Sequence, residues 1–552
     1  MSQVSIRVGG EWVVKMCGDG NQTLRKLGQS CAHPSKTKGG ADQPSFWVRR
    51  CADGALLDLD KPIGKVLRNN DFVDLVMDGD CWSPPIGPVF YIALDGESLT
   101  TCDLVRLGKG LLKIKVTYWM ISQPVADLCH FDPTVVYGIN TGFGRFAQTA
   151  ISNNQLNPER TRMLLAVRIN VLAKGFSGVS METLQATVAA FNASCLSWVP
   201  EQGTVGACGD LAPLAHLAQG LMGEGLMWSP QSGWADATAV LQGHGLTPIT
   251  LKAKEGLALI NGAQMISSLG SEALERAQAI ARQADIIAAL TLESLKGTPK
   301  AFDKGGSYDR VQDAYTLRCC PQVHGIANDT IDFVKKILTT ELNSATDNPL
   351  VFAERGITIS GGNFHGEYPA KAMDFLAIGV HELANISERR IERLCNPSLS
   401  ELPAFLVKEG GINSGFMIAH CTAAALVSEN KVLCHPSSVD SLSTSAGTED
   451  HVSMGGWAAR KALRVVQHVE QVLAIELLAA CQALEFRRPQ KTTPPLEQVH
   501  KLVRSVVRPW DKDRAMSPDI EAAHKLLLEE KVWEAVRPYV EKYRQMEQKT
   551  AL

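Results

Sequence analysis

The sequence predicts a mainly α-helical protein, a bundle of long helices preceded by a small N-terminal β-containing domain. Three observations support this fold class. Runs rich in Ala, Leu, Ile and Glu fill the chain after about residue 155, no strand-like segments alternate with them, and the first hundred residues show a strand-like pattern instead. The chain has 552 residues, 45% of them hydrophobic and 20% charged, which is typical of a globular protein with more than one unit.

The N-terminal region alternates apolar and polar residues as strands do. The segments Val4–Val8 and Phe72–Met77 show this period of two, with Gly-rich turns between them. Residues 16–45 are rich in Gly, Lys and Ser, so we predict a loop there. We therefore expect residues 1–110 to form a separate β-containing domain with a ubiquitin-like fold.

The helical part begins with a run from Glu159 to Lys174, whose apolar residues fall largely on one face. The longest later runs cover residues 255–297, 366–395, 414–434 and 451–486. Several of them stay apolar on more than one side, as the central helices of a bundle do. We predict two helical units, 111–255 and 256–552, and the lack of strands between helices disfavours Rossmann and barrel folds.

The charge and composition of the chain exclude some classes of binding partner. A formal net charge of −3 and the lack of a basic run argue against a nucleic-acid or anionic-membrane partner. The most apolar late stretch, Val465–Phe486, contains Glu470 and Glu476, which is typical of a buried helix and not of a membrane span. The N-terminus lacks the apolar run of a signal peptide, so we expect the fourteen cysteines to be reduced thiols in the cytoplasm.

Two His-Cys pairs contain residue types that bind zinc, namely His420-Cys421 and Cys434-His435. Because the pairs are fourteen residues apart, they would lie roughly 21 Å apart on one straight helix. A single ion cannot bridge that distance, so we expect no metal site.

Three Gly-rich or Asn-rich loops stand where long helices begin or end, which is where an all-α protein keeps its chemistry. Their sequences are YGINTGFG at 137–144, GTVGACGDLAP at 203–213 and SGGNFHGE at 360–367. The functional residues of this chain are therefore expected in or beside these loops.

The tripeptide Ala207-Cys208-Gly209 in the second loop allows three interpretations. The simplest is a turn followed by a helix that Asp210 caps. Cys208 could instead be a nucleophile, because a helix start lowers the pKa of a thiol. In the third, the amide nitrogen of Gly209 attacks the carbonyl carbon of Ala207, and loss of the middle residue's heteroatom leaves an electrophilic alkene.

The segment GTVGACGDLAPLAHLAQG resembles the signature of the aromatic amino acid ammonia-lyases, and similarity to that family extends over about residues 135–545. Family members carry 4-methylideneimidazol-5-one (MIO), an electrophile formed autocatalytically, without a metal, from an Ala-Ser-Gly tripeptide. The resemblance implies that Ala207, Cys208 and Gly209 form this group here. Cys208 replaces the usual Ser, and its loss of hydrogen sulfide in place of water would give the same alkene.

Further motifs resemble the family. The loop VVYGINTGFG implies Tyr137 as the catalytic base, for which its surroundings must favour the ionised phenol. The segment LALINGAQ implies Asn261 as a contact to substrate and MIO, and SGGNFHGE implies Phe364 in the pocket wall. Without the family context, Tyr137 would be an ordinary turn residue and Phe364 a core residue.

The segment QDAYTLR supplies Gln312, Tyr315 and Arg318, whose spacing of three predicts that they share one side of a helical turn. The resemblance implies that all three bind substrate. Arg318 would hold the substrate carboxylate with two parallel hydrogen bonds. A surface salt bridge is the alternative fate of such an arginine.

The substrate is indicated by TEDHVSM at 448–454. This pattern resembles that of the family's histidine lyases, whereas the phenylalanine and tyrosine lyases usually carry a neutral amide where Glu449 stands. A carboxylate can orient an imidazole through a charge-assisted hydrogen bond, but a phenyl ring offers it no donor. The resemblance therefore implies conversion of L-histidine to trans-urocanate and ammonia. Glu449 could otherwise complement a helix dipole.

The family also implies a homotetramer whose active sites draw residues from several subunits. This chain departs from the family pattern in three places. Cys208 replaces the usual Ser, a Ser-His pair is missing after Gly144, and an Arg-Pro-His element is missing after Asp303. The stretch from Val116 to Pro133 also lacks the expected charged helix. These departures make an inactive family member the alternative function. A cysteine-nucleophile enzyme and a fumarase-type lyase are the remaining rivals.

Overall fold

The computed structural model describes the backbone of five N-terminal strands and residues 91–116, 155–207, 209–297 and 312–550. The first five strands are β1 (Ser2–Val8), β2 (Glu11–Cys17), β3 (Phe46–Arg50), β4 (Leu56–Leu57) and β5 (Asp71–Met77). They form one sheet in the order β2-β1-β5-β3-β4, in which β1 and β5 are parallel and the other neighbours are antiparallel. This is the strand order of a ubiquitin-like fold, as the sequence predicts.

A short β-α-β unit follows. Strands β6 (Tyr91–Leu94) and β7 (Lys113–Val116) pair in parallel, joined by helix α1 (Thr101–Gly108). The Thr100 hydroxyl caps α1 by accepting the amide N–H of Asp103 at 3.0 Å. The division of the chain at residues 110 and 255 stays a prediction.

Helices make up most of the remaining described chain. Those before residue 300 are α2 (Pro158–Ala173), α3 (Met181–Asn192), α4 (Leu211–Leu221), α5 (Ala237–Gly243), α6 (Glu255–Ile260) and α7 (Gln264–Ser294). The later ones are α8 (Tyr315–Arg318), α9 (Cys320–Leu342), α10 (Glu367–Cys395), α11 (Pro397–Ser400), α12 (Met417–Leu433), α13 (Gly455–Arg487), α14 (Pro494–Val506), α15 (Ser517–Leu528) and α16 (Lys531–Thr550).

Short strands accompany these helices. β8 (Leu196–Ser197), β9 (Leu226–Ser229) and β10 (Gly233–Asp236) form a three-stranded sheet in the order β10-β9-β8, while β11 (Leu350–Phe352) pairs with β12 (Ile357–Ile359). The long helices α7, α10 and α13 pack against one another at the centre of the bundle. All of residues 472–484 in α13 are buried, which confirms the prediction of helices that are apolar on several sides.

Two predicted helices differ in detail from the structure. Helix α2 has the predicted position, but all of residues 161–173 are buried, so the helix has no solvent face beyond its first turn. The predicted run 255–297 is two helices, α6 and α7, because Asn261 is extended and Gly262 has φ +138°, a value that a helix cannot contain. Among the described residues no helix is both long and apolar enough to cross a membrane.

Candidate active site

Four loops meet beside the N-terminal ends of α7, α10 and α13. We call them the loop cluster, and they comprise residues 203–210, 261–266, 360–366 and 448–456. The amide N–H of Met454 donates to Val205 O at 2.9 Å, and the Ser453 hydroxyl donates to Gly206 O at 3.4 Å. The cluster contains the predicted site residues Ala207, Gly209, Asn261, Phe364 and Glu449. Cys208 and Tyr137 lie outside the described residues.

Gly209 is required by close packing of two chain segments. Its φ is +80°, and it forms a parallel bridge with Gly262. A Cβ on Gly209 would lie 2.4 Å from Gly262 O, so any side chain would push the two segments apart. The next amide, that of Asp210, donates to Gly262 O at 2.7 Å. The tripeptide loop is therefore held against residue 262 by backbone alone, with Ala207 half-buried beside it.

Asp210 does not act as the sequence predicts. It precedes α4, but its side chain makes no capping bond to that helix. One carboxylate oxygen instead accepts the amide N–H of Ile266 at 3.0 Å, at the start of α7, and the other accepts the Thr204 hydroxyl at 3.2 Å. Burial raises the pKa of Asp210 to about 7, although these hydrogen bonds lower it. Asp210 therefore joins the tripeptide loop to α7.

Asn261 ends α6 and is 1% exposed. Its side-chain N–H donates to Asn348 O at 3.3 Å, while its Oδ1 has no hydrogen-bond partner among the described residues. A buried polar atom without a partner is costly, and a ligand or reactive group that supplies the missing bond would remove that cost. The predicted role of Asn261 as a contact in the site agrees with this unpartnered atom.

The loop that carries Phe364 is bound to the loop that carries Glu449. The His365 Nε2 lies 2.9 Å from His451 O, and the two imidazole rings are stacked with centroids 5.9 Å apart. Phe364 itself is half-buried. Glu449 accepts the hydroxyls of Ser445 at 2.5 Å and Thr444 at 3.1 Å, so its carboxylate is held in a defined position.

Arg318 contacts both Gln312 and Tyr315, the other two residues predicted in this segment. Arg318 donates to Gln312 Oε1 at 2.7 Å, and its guanidinium lies 4.7 Å from the centre of the Tyr315 ring. The helical turn is shorter than expected, because α8 begins at Tyr315 and leaves Gln312 in the preceding loop. Tyr315 is 71% exposed, so this group stands open on the surface of the chain.

This second group lies far from the loop cluster. Arg390, near the C-terminal end of α10, has its Nη1 3.7 Å from Cys320 Sγ, two residues after Arg318. The loop cluster contacts the other end of α10, where Gly366 packs against Ser453. Residues 367 and 390 are about 35 Å apart along a helix. One chain therefore holds two separate groups of predicted site residues.

Two residues beside the site were not predicted from sequence. Arg168 donates to Asn261 O at 2.6 Å. Glu341 is half-buried, its Oε1 is shielded from solvent, and its pKa is raised by burial and by the charge of Asp210. The sequence gives one indication of Arg168, namely a charged residue with apolar residues on both sides. Glu341 carries no such signal.

This chain is similar in sequence and in structure to known proteins. The family model for aromatic amino acid lyases matches residues 124–307 and 304–505. Histidine ammonia-lyase of Mus musculus is 62% identical and covers 99% of this chain and 95% of its own, and that of Caenorhabditis elegans is 46% identical with the same coverage. The crystal structure of histidine ammonia-lyase from Trypanosoma cruzi superposes with a TM-score of 0.76 at 52% identity, covering 82% of this chain and 96% of its own.

The chain belongs to the aromatic amino acid lyase family. It is an ammonia-lyase, an enzyme that breaks a carbon–nitrogen bond. The alignment with the mouse relative runs over 624 positions, more than the 552 residues of this chain, so the relative has residues that this chain lacks. The two family-model matches meet at 304–307, which agrees with a segment missing after Asp303.

Proposed function

We propose that this chain catalyses the non-oxidative deamination of L-histidine to trans-urocanate and ammonia. The observation that carries the proposal is the position of Glu449 in the loop cluster, where two hydroxyls fix its carboxylate and Met454 binds the electrophile loop. A fixed carboxylate at this place suits a substrate with an imidazole N–H. Relatives from Mus musculus and Homo sapiens, 62% and 61% identical over 99% of this chain, are named histidine ammonia-lyases, which supports the same substrate.

We propose MIO as the prosthetic group, formed from Ala207, Cys208 and Gly209. The described residues suit it in two ways. Gly209 has the positive φ and the lack of a Cβ that allow its amide nitrogen to approach the Ala207 carbonyl, and the unpartnered Oδ1 of Asn261 offers an acceptor in the same cluster. MIO supplies an electrophilic alkene that makes the substrate amine a better leaving group.

The side chains of this protein bind the substrate and move one proton. In the proposed mechanism Arg318 binds the carboxylate, Glu449 accepts the imidazole N–H, and Asn261 accepts a hydrogen bond beside the amine. Tyr137 takes the β-proton as ammonia leaves, which gives the double bond of urocanate. Gln312, Tyr315 and Phe364 line the bound substrate in this proposal.

The separation of the two groups supports a homotetramer in which each site is completed by residues of another copy. Arg318 and Glu449 lie too far apart in one chain to bind one histidine. Exposed apolar side chains on the bundle helices provide a surface for such contacts, among them Ile326 at 58%, Ile418 at 63% and Val432 at 74% exposure. Native mass spectrometry should show four chain masses, and a monomer with full activity would contradict this arrangement.

We also propose a cytoplasmic location. The described cysteines are free thiols, which a reducing compartment maintains. Fractionation of a cell that expresses the chain should place the activity in the cytosol, and recovery of the activity with organelles would contradict it.

The proposed function is tested with the purified full-length chain. Addition of L-histidine should give the near-ultraviolet absorbance of urocanate, whereas L-phenylalanine and L-tyrosine should give no product. The peptide that contains residues 207–209 should be lighter by one water and one hydrogen sulfide.

Two variants of the tripeptide serve as controls. Cys208→Ser restores the usual residue of the family and should retain activity, and Cys208→Ala, which has no leaving group, should lose it. Wild-type protein that gives no urocanate under any condition would favour the alternative of an inactive relative, which no comparison supports. A free Cys208 thiol that reacts with an alkylating reagent would contradict MIO formation.

A further inference from the structure

Arg168 is a buried cation in the middle of helix α2. Its residue is 1% exposed, and burial lowers the pKa of its guanidinium to about 10, which leaves it charged at neutral pH. The side chain donates to three oxygens, namely Asn261 O at 2.6 Å, Gln264 Oε1 at 2.9 Å and Ala258 O. Such complete burial of a charge is unfavourable unless hydrogen bonds of this kind compensate for the lost hydration.

The three oxygens all belong to the junction between α6 and α7. Ala258 and Asn261 lie in and after the last turn of α6, where carbonyl groups have no partner within the helix. Arg168 satisfies two of these carbonyls and also binds Gln264, the first residue of α7. The bent segment between the two helices is therefore held by one side chain.

The same segment binds the tripeptide loop on its other side. Gly262 O accepts the amide N–H of Asp210 at 2.7 Å, and Gly262 forms a bridge with Gly209. The chain of contacts therefore runs from Arg168 through Asn261 and Gly262 to Gly209. A shift of Asn261 would move both its own side chain and the backbone that supports the tripeptide.

Further buried polar groups hold the junction between α6 and α7 in place. Gln264 donates to the Thr346 hydroxyl at 2.7 Å, and Lys254 Nζ lies 3.1 Å from Asp347 Oδ2 in a buried ion pair. The charge of Asp347 raises the pKa of Arg168, which opposes the effect of burial. Arg168 thus sits in a buried polar network that ends at the active-site loop.

We propose that Arg168 is a positioning residue for the electrophile, because it holds Asn261 and Gly262 where they support ring closure between Ala207 and Gly209. This inference rests on the proposed function. It concerns a side chain that contacts neither the substrate nor the tripeptide, so its effect must pass through the 258–264 segment.

The protein offers a matched control on the same helix. Arg162 is 5% exposed, its pKa is also lowered to about 10 by burial, and it donates to Leu107 O and Phe191 O, both at 2.8 Å. None of its described hydrogen bonds reaches the loop cluster. Arg162→Met removes the same amount of buried charge from α2 as Arg168→Met.

The experiment compares Arg168→Met, Arg168→Lys and Arg162→Met in the full-length chain. Peptide mass spectrometry measures the fraction of protein in which residues 207–209 have lost water and hydrogen sulfide. Hydrogen exchange measures the protection of backbone amides in 203–213 and 258–266. Kinetics with L-histidine give kcat and KM, and thermal unfolding measures the cost to overall stability.

Arg168→Met should leave most of the tripeptide uncyclised, increase exchange in both segments and reduce kcat, with KM near the wild-type value. The fall in kcat is expected to reach 10- to 100-fold, because a displacement of about 1 Å at a reacting group costs as much as about 100-fold. Arg168→Lys keeps the charge and part of the hydrogen bonding, so it should recover part of each property. Arg162→Met should lose stability but keep wild-type cyclisation, exchange and kcat.

Equal effects of Arg168→Met and Arg162→Met on cyclisation and exchange would overturn the proposal. If Arg168→Met does not fold, Arg168→Lys gives the same readouts, and wild-type values for it would also overturn the proposal. Hydrogen exchange distinguishes failure of the positioning role from failure of the proposed function, because exchange can be measured whether or not MIO forms. A wild-type protein that is not cyclised contradicts the proposed function, while faster exchange confined to Arg168→Met would still support the positioning role.

Discussion

Glu341 offers a test of electrostatics next to the active-site loop. It lies in the last turn of α9, and its Oε1 is buried without a hydrogen-bond partner among the described residues. Burial, together with the charge of Asp210, raises the pKa of Glu341 from 4.5 to about 7. Glu341→Gln replaces the carboxyl group with a neutral amide of almost the same shape.

The direction of the effect follows from proton binding. Between about pH 4.5 and pH 7 the folded protein keeps the proton on Glu341, whereas the unfolded chain releases it. Stability from this group is therefore fully present below pH 4.5 and is lost as the pH rises through 7. The rise of the pKa from 4.5 to about 7 corresponds to an upper limit of about 3 kcal/mol.

The assay is urea or thermal unfolding of both proteins at fixed chain concentration. At about pH 4, where Glu341 is mostly neutral in both the folded and the unfolded state, the variant and the wild type should have nearly the same midpoint. At about pH 8.5 the variant should be more stable, by as much as about 3 kcal/mol. Glu354→Gln is the control, because it makes the same substitution at an exposed position. A Glu341→Gln variant with no advantage at the higher pH would refute the reasoning.

Three further predictions concern packing and substrate binding. Gly209→Ala should prevent cyclisation and abolish activity, since its Cβ would lie 2.4 Å from Gly262 O; a modified tripeptide in this variant, seen by mass spectrometry, would contradict that. Glu449→Gln should raise the KM for L-histidine about 10-fold with little change in folding, because a charge-assisted hydrogen bond is about twice as strong as a neutral one; an unchanged KM would remove Glu449 from the imidazole site. Arg390→Met should lower the free energy of unfolding by about 3–5 kcal/mol, because it leaves the Glu476 carboxylate buried without its cationic partner. An unchanged unfolding temperature in calorimetry would contradict this.

The long helices and the N-terminal strands were predictable because each depends on a local pattern of apolar residues. Helices α10, α12 and α13 lie close to the predicted ranges for this reason. The break at Gly262 was not predicted, because its conformation depends on a contact with Gly209, more than fifty residues earlier. Local sequence does not contain such a contact.

The site was predictable motif by motif but not in its arrangement. Asn261 and Glu449 were identified from short segments, and the structure places both in the loop cluster. The distance between that cluster and Arg318 depends on the length of α10 and on the contact of Cys320 with Arg390 near the end of that helix. The short motifs contain information on neither. Arg168 was missed because nothing in the sequence shows which oxygens surround a buried arginine.

The 35 Å separation along α10 has a genetic consequence. A variant such as Gly209→Ala damages one group of site residues, and a variant such as Arg318→Met damages the other. In an assembly that joins groups from different copies, co-expression of the two inactive chains produces some sites in which both groups are intact. Activity would then return in the mixture, so that two different loss-of-function alleles complement each other while neither does so with itself.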